Sequence, residues 1–370
     1  MKKIAIILAY LKKNLGDDIF VQLLCRRYPD VDFYVAEVPD AGVSLRSLPN
    51  LHFSKEMQDF DAQFGEAAVS KKAKRFFEQF DACVAIGGSV FMQNGQKWQN
   101  QVQRYRNRLG LSKHLYVIGA NFGPFTDANF LAQYTQLFGS TDDICFRDTD
   151  SLVFFPGVNS IRYAPDVVLT YGAVPEKEEK KVLISPIDCN WRGRPWNQFL
   201  KLKAHIEEYE NTLFETCKIF SRMGYEVCLM SFCDPQGDQN AAGRIQEKCV
   251  ECGVAGVRSY SYDGNIEEAI HELATAKYVI ATRFHSMILG WLFKKPTFPI
   301  IYDNKQRAVI KDFDFFKNYC YLDKIADVSP QDIVDSLLNY GEFDCEPFAA
   351  GAQKQFAGLD KFLMGGKKNG

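Results

Sequence analysis

The chain reads as an α/β protein of two parallel-sheet domains, and three features of the sequence predict it. Short apolar runs alternate with amphipathic stretches at helical spacing along most of its length, the pattern of parallel strands joined by crossover helices. At 370 residues the chain exceeds what one hydrophobic core usually organises. Near the middle, Pro175-Glu176-Lys177-Glu178-Glu179-Lys180-Lys181 interrupts the apolar pattern with a dense charge cluster suited to a surface linker. The expected division is an N-terminal domain of residues 1–174, a C-terminal domain of residues 175–345 and a tail of residues 346–370.

The first strand is expected at residues 4–9. Charge followed by an apolar run resembles a signal peptide, but the run is short and no small-residue cleavage site follows, so a buried strand fits better. No stretch approaches the ~18 apolar residues that span a bilayer. The protein is expected in the cytoplasm, where it could act at the inner face of the membrane.

Asn14-Leu15-Gly16-Asp17-Asp18 then opens a helix. Its single glycine rules out the three-glycine dinucleotide fingerprint. Asp17 and Asp18 suit helix capping and the helix dipole, or hydrogen bonds to sugar hydroxyls. Residues 40–75 are polar and weakly patterned, an expected variable excursion. A strand at residues 82–86 runs into Gly87-Gly88-Ser89, where paired glycines permit a tight turn or close approach of backbone to a ligand. Residues 96–108 carry Lys97, Arg104, Arg106 and Arg108 and read as a solvated helix face. A strand at 115–118 leads into a second glycine-bearing exit, residues 119–125, which holds Asn121. After residues 144–146 come Arg147 and Asp148, an arginine at a strand end. It could bind a ligand or pair with Asp148 or Asp150. Ala164-Pro165-Asp166-Val167-Val168 closes this half.

Past the charge cluster, a strand at 182–184 ends in Ser185-Pro186, and a long helix is expected over 196–222, stopping near Gly224. Strand and helix keep alternating through 225–231, 257–260, 266–274, 278–281 and 297–302. Ser329-Pro330 starts a late helix with a capping serine and a first-turn proline. Residues 365–370 look frayed.

The most chemically loaded stretch lies around residues 276–305. The strand at 278–281 ends directly at Thr282-Arg283-Phe284-His285-Ser286, and the next strand delivers Lys305 on a following loop. In open parallel sheets, ligands bind outside the carboxyl ends of the strands. Arg, His and Lys gathered there would suit a small phosphorylated or carboxylated substrate. The plainer alternative pairs Arg283 with a neighbouring carboxylate and makes His285 a polar helix-start residue.

Composition narrows the remaining classes. Hydrophobic residues make up 46% and charged residues 24%, which excludes disordered and collagen-like chains. Lys plus Arg number 44 against 46 Asp plus Glu, a balance with no footprint for nucleic acid. Eleven cysteines in an unsecreted chain point to reduced thiols. Cys249 and Cys252 form a lone CxxC with no second ligand pair, so no metal is expected. The sequence carries no signal for oligomeric state.

Taken together, Asn14, Gly16 and Asp17 after the first strand, Gly87-Gly88, residues 119–125, Arg147-Asp148 with Ser151, Pro165-Asp166, Arg283 with His285, and Tyr302 with Lys305 resemble the polysaccharide pyruvyl transferase family. The resemblance runs from the first strand to Lys305. Two positions depart from it: Phe284 stands where the family usually has leucine, and Ser89 where it often has a third glycine. The resemblance implies two Rossmann-like parallel-sheet domains facing a cleft, similar to the GT-B glycosyltransferases. It also implies transfer of the enolpyruvyl unit of phosphoenolpyruvate to two hydroxyls of a sugar, giving a cyclic pyruvate ketal on a glycan or its lipid-linked oligosaccharide precursor. No cofactor is implied beyond phosphoenolpyruvate as donor substrate.

On that basis His285, whose reference pKa of about 6.5 suits proton transfer near neutrality, is the expected catalytic acid. Arg147, Arg283 and Lys305 are the expected donor-binding cations. Asn14, Gly16, Asp17, Gly87, Gly88, Ser89 and Asn121 are the expected acceptor-binding set. Two alternatives remain open: a glycosyltransferase using a nucleotide sugar, and a glycan-binding module without catalysis.

Overall fold

The computed structural model of the chain describes residues 2–61, 63, 69–93, 97–112, 114–172 and 176–365. It divides into two compact units, one made of Met1–Leu11, Asp17–Thr170 and Phe348–Gly370, the other of Lys12–Gly16 and Tyr171–Pro347. The expected boundary between residues 174 and 175 falls outside the described residues, as do residues 366–370. The stretch from Phe348 onward belongs to the first unit instead of forming a tail.

The first unit is built on a seven-stranded sheet of β1 (Lys2–Leu8), β2 (Val31–Ala36), β3 (Leu51–Ser54), β4 (Ala82–Ile86), β5 (Leu115–Ala120), β6 (Asp143–Phe146) and β7 (Ile161–Tyr163), in the order β3-β2-β1-β4-β5-β6-β7. Every neighbouring pair is parallel. The central strands β4 and β5 are buried at every residue, so they read in sequence as continuous apolar runs. Towards the edges burial thins: β2 alternates between buried and half-buried, and β3 buries only Leu51. These two strands and β7 carry too weak a pattern to stand out. The expected excursion at 40–75 therefore contains β3, the short helices Val43–Arg46 and Lys55–Asp61, and the start of the helix Lys71–Phe77.

The helix Lys97–Ser112 departs from the solvated face its charges imply. Arg108 is buried, with its guanidinium over the Phe77 ring at 5.2 Å. Cation–π contact of this kind lets an arginine enter an aromatic core that its charge alone would oppose.

The C-terminal segment is tied in by Gln355. This buried side chain donates to the carbonyls of Ala164 (2.7 Å) and Pro165 (3.1 Å) and accepts the N–H of Gly119 (2.9 Å). It thus satisfies main-chain groups that the strand ladder leaves over.

The second unit has a six-stranded sheet of β8 (Lys181–Ser185), β9 (Glu226–Ser231), β10 (Val257–Ser261), β11 (Tyr278–Ala281), β12 (Thr297–Ile301) and β13 (Cys320–Tyr321), ordered β10-β9-β8-β11-β12-β13. All its pairings are parallel. The helix expected over 196–222 is two, Trp196–Lys203 and Ile206–Arg222, because His205 leaves the helical region at φ −117°. Both sheets reverse strand order next to their first strand, between β1 and β4 and between β8 and β11. Such a switch point opens a crevice at the carboxyl ends of the strands, where parallel sheets take ligands. Among the described residues no helix is long and apolar enough to cross a membrane.

Candidate functional site

The expected site residues fall at the carboxyl ends of strands in each sheet. In the first unit, Asp17 follows β1, Gly87 to Ser89 follow β4, Asn121 follows β5 and Arg147 follows β6. Arg147 is 2% exposed, and its Nη1 donates to Asp166 Oδ2 at 2.9 Å. Its Nη2 donates to Asn121 Oδ1 at 2.9 Å, and Ser89 Oγ donates to the same oxygen at 3.2 Å. The Asn121 N–H closes the group on the Gly88 carbonyl at 2.9 Å. A Cβ on Gly88 would overlap the Arg147 guanidinium, so only glycine lets this backbone lie against the charge. Asp17 sits beside Gly87. Arg147 is thus paired with Asp166, and Asp148 accepts the N–H and hydroxyl of Ser151, each at 2.8 Å.

In the second unit, β11 pairs with β8 so that Ala281 lies level with Ser185, and both strands finish at the switch point. Thr282 is fixed there by Tyr209, whose hydroxyl is 2.8 Å from Thr282 Oγ1, and by Gln306, whose Nε2 donates to the Thr282 carbonyl at 2.9 Å. Arg283 caps the helix Phe284–Leu292, all nine residues of which are buried. Arg283 itself is 7% exposed. Its Nε donates to Asp238 Oδ2 at 2.7 Å, its Nη2 to Asp238 Oδ1, and its Nη1 to Gln236 Oε1 at 2.6 Å. Asp238 also accepts the N–H groups of Phe232 (3.2 Å) and Cys233 (3.0 Å), which fixes the pair to the β9 exit. Burial opposes the Arg283 charge, but the Asp238 carboxylate more than offsets it and holds the guanidinium pKa above the ordinary arginine range. A guanidinium has five N–H donors. With three engaged by Asp238 and Gln236, two remain to meet a ligand.

His285 is the second residue of that helix and is 9% exposed, its ring edge-on to Phe284 at 5.0 Å between centroids. Gly16, expected among the acceptor-binding residues, lies against this imidazole. A side-chain carbon at residue 16 would fall inside the ring, overlapping Nδ1, Cγ and Cε1. The segment Lys12–Gly16, which includes Asn14, is anchored by the Leu15 N–H, which donates to the Phe232 carbonyl at 3.1 Å.

Lys305 is the second residue of the helix Asn304–Asp312, which Asp303 caps. Its Nζ stands 6.0 Å from the ring centroids of both Phe284 and Tyr302 and makes no ion pair with the described residues. The second unit therefore groups Arg283, His285 and Lys305, with Asn14 and Gly16 on the adjoining segment. The first unit groups Arg147 with Gly88, Ser89 and Asn121, and places Asp17 beside Gly87.

Sequence reasoning missed three participants. Asp238 and Gln236 hold Arg283 from 45 and 47 residues away, across a turn-rich loop with no periodic signal. Arg194 lies on the loop after β8, half-buried, its Nη1 donating to the carbonyls of Asp188 (2.7 Å) and Trp191 (3.2 Å). Its position after a strand that ends at the switch point is the signal that could have found it. Among the described residues no group of three or more His, Cys, Asp or Glu is placed to hold a metal ion.

The arrangement offers cations, a titratable imidazole and a water-poor floor, which suits transfer chemistry on a small anion. Solved structures of similar fold include the Methanocaldococcus jannaschii UDP-GlcNAc 2-epimerase in complex with UDP-GlcNAc and UDP, at 10% identity and a TM-score of 0.59 over 98% of this chain and 99% of that one. Anabaena HepE in complex with UDP and glucose is similar at 12% identity and a TM-score of 0.54, over 98% and 96% of the two chains. At such identities the likeness is one of fold, two Rossmann-like parallel-sheet units of the GT-B class. No curated protein matches the chain by sequence. The family model of the polysaccharide pyruvyl transferases matches residues 14–304, a span that holds every site residue expected from the sequence except Lys305, and the chain belongs to that family.

Proposed function

We propose that this protein moves the enolpyruvyl unit of phosphoenolpyruvate onto two hydroxyls of a sugar, releasing phosphate and leaving a cyclic pyruvate ketal on a glycan or its lipid-linked precursor. The observation that carries the reading is the grouping of Arg283, His285 and Lys305 at the carboxyl edge of the second sheet, beside its switch point. Phosphoenolpyruvate brings a carboxylate, a phosphate and an electron-rich methylene, and this grouping offers a partner for each.

In the proposed reaction His285 delivers a proton to the methylene carbon, and positive charge develops on the neighbouring carbon that bears the phosphate ester. A sugar hydroxyl attacks that carbon and loses its proton. The carbon–oxygen bond to phosphate breaks, and the second hydroxyl closes the ketal as its own proton departs. One hydroxyl proton restores the proton given to the methyl group and the other leaves with phosphate. Arg283, oriented by Asp238, presents its remaining N–H groups to the donor, and Lys305 acts as a point charge on the departing phosphate. Arg147 is assigned to the donor as well. Asn14, Gly16, Asp17, Gly87, Gly88, Ser89 and Asn121 are assigned to the acceptor side.

Thermal unfolding with different donors tests the reading. Phosphoenolpyruvate at a hundredfold excess over its dissociation constant should stabilise the fold by about 2.7 kcal/mol, while UDP- and GDP-sugars leave the midpoint flat. A midpoint that rises with a nucleotide sugar and ignores phosphoenolpyruvate overturns the proposal in favour of glycosyl transfer. His285→Ala should cut phosphate release by about 10²–10⁴-fold with donor binding retained.

A further inference from the structure

The loop after β8 carries a cation whose surroundings are unlike those of the other arginines at the site. Arg283 and Arg147 each meet a carboxylate, Asp238 and Asp166 respectively. Arg194 meets none among the described residues. Its Nη1 is fixed by the main-chain carbonyls of Asp188 and Trp191, which carry no net charge. Its guanidinium lies 5.1 Å from the Trp191 ring centroid and 6.0 Å from that of Tyr302, the ring that Lys305 Nζ also approaches at 6.0 Å. Burial lowers the Arg194 pKa and the like charge of Arg283 adds to this, while Tyr302 and the Asp238 carboxylate, neither hydrogen-bonded to it, oppose the shift only in part. A half-buried arginine near another cation, with no carboxylate in hydrogen-bonding contact, is only partly satisfied by the protein alone.

The hydrogen bonds also leave a particular edge open. Both carbonyl contacts use Nη1, so Nε and Nη2 make no hydrogen bond to the described residues. Those two nitrogens form the side-on fork that binds carboxylate or phosphate through two parallel N–H···O bonds. In Arg283 the same edge is closed by Asp238.

We propose that Arg194 is a further binding residue of the second-unit site, its open Nε/Nη2 edge receiving the oxyanion of the donor. This deepens the reading of that site as one for phosphoenolpyruvate and rests on it. Within this scheme Arg283 is largely committed to Asp238 and positions the strand end, while Arg194 supplies the vacant fork. The rings of Trp191 and Tyr302 hold the guanidinium plane in place without neutralising it.

Calorimetric titration of the full chain and its Arg194→Ala and Arg194→Lys variants with phosphoenolpyruvate, inorganic phosphate and pyruvate tests this. The expected result is a dissociation constant for phosphoenolpyruvate raised about 10–100-fold in Arg194→Ala, the usual scale for losing a charge-assisted pair of hydrogen bonds, with Arg194→Lys recovering only part of it. Whichever of phosphate and pyruvate loses affinity in parallel identifies the group the fork holds. The thermal midpoint of Arg194→Ala without ligand should stay level or rise, because a like-charge contact is removed. Phosphoenolpyruvate and phosphate binding unchanged in Arg194→Ala overturns the proposal, and a lowered midpoint with unchanged binding makes Arg194 a brace for its loop. Phosphate binding that depends on Arg194, in a protein that does not bind phosphoenolpyruvate, upholds the fork and overturns pyruvyl transfer. A wild-type chain that binds none of the three anions overturns both.

Discussion

Gly16→Ala is the sharpest probe of how the imidazole is seated. The added methyl falls inside the His285 ring, so the ring or the backbone of Lys12–Gly16 has to move by roughly an ångström or more to restore ordinary packing distance. His285 has little room to yield, because its helix is buried along its whole length and Phe284 packs edge-on against the ring. The Lys12–Gly16 segment is held too, by the Leu15 N–H on the Phe232 carbonyl. Overpacking of this sort costs about 1–3 kcal/mol. For a unit of this size that lowers the midpoint by about 2–12 °C, at roughly 2–4 °C per kcal/mol. A misplacement of about an ångström at the reacting group can cost on the order of 10²-fold in rate. Differential scanning calorimetry reads the first effect, phosphate release from phosphoenolpyruvate the second, and the imidazole nitrogen resonances of His285 report displacement without any assay of activity. Unchanged midpoint, turnover and resonances in Gly16→Ala would refute the close approach on which the reasoning rests.

Three other perturbations follow from the geometry. Asp238→Ala removes the carboxylate that compensates buried Arg283 and orphans the N–H groups of Phe232 and Cys233, so chemical denaturation should show a loss of about 3–5 kcal/mol; a loss under 1 kcal/mol would mean water or another group takes over the charge. Gln355→Leu leaves the Gly119 N–H and the Ala164 carbonyl without their partner, and should destabilise the first unit by about 1–3 kcal/mol per orphaned group, measurable by urea titration. Of the eleven cysteines only Cys252 is exposed, and burial pushes the thiols of Cys25, Cys145, Cys189, Cys228, Cys320 and Cys345 up to about 12. A thiol reagent at mildly alkaline pH should therefore modify one cysteine rapidly in the native chain and all eleven after unfolding, and two or more fast thiols would contradict the burial.

How much of this was legible in the sequence depended on where each element lies. Strands β4, β5, β8 and β11 are buried throughout and announce themselves as unbroken apolar runs. β2, β3 and β7 lie toward the edges of their sheet, where half or more of the side chains are only partly buried and the apolar run is broken. Arg283, His285 and Lys305 stood out because each follows a legible strand. Their partners did not. The carboxylate that occupies Arg283 is 45 residues away, and nothing in a linear pattern encodes a pairing at that separation. Arg194 sits in a loop rich in Trp, Gly and Pro, where no periodicity exists to frame it. The return of the C-terminal segment was hidden for a related reason. Gln355 is polar and reads as surface, yet it is wholly buried because main-chain groups near residues 119 and 164 lack other partners.

That return has a consequence for how the chain comes together during synthesis. Gln355 reaches back 236 residues to Gly119 and 191 to Ala164, and everything between Tyr171 and Pro347 belongs to the other unit. At about 5–20 residues per second, translation of the intervening unit takes on the order of ten to thirty-five seconds. Throughout that interval the first sheet has its strands but not the side chain that completes its hydrogen bonding. The inserted unit has its sheet strands within one continuous stretch and can close before its host does. Folding order is thereby set by topology against the order of emergence, and the nascent first unit is the species most in need of protection from premature association.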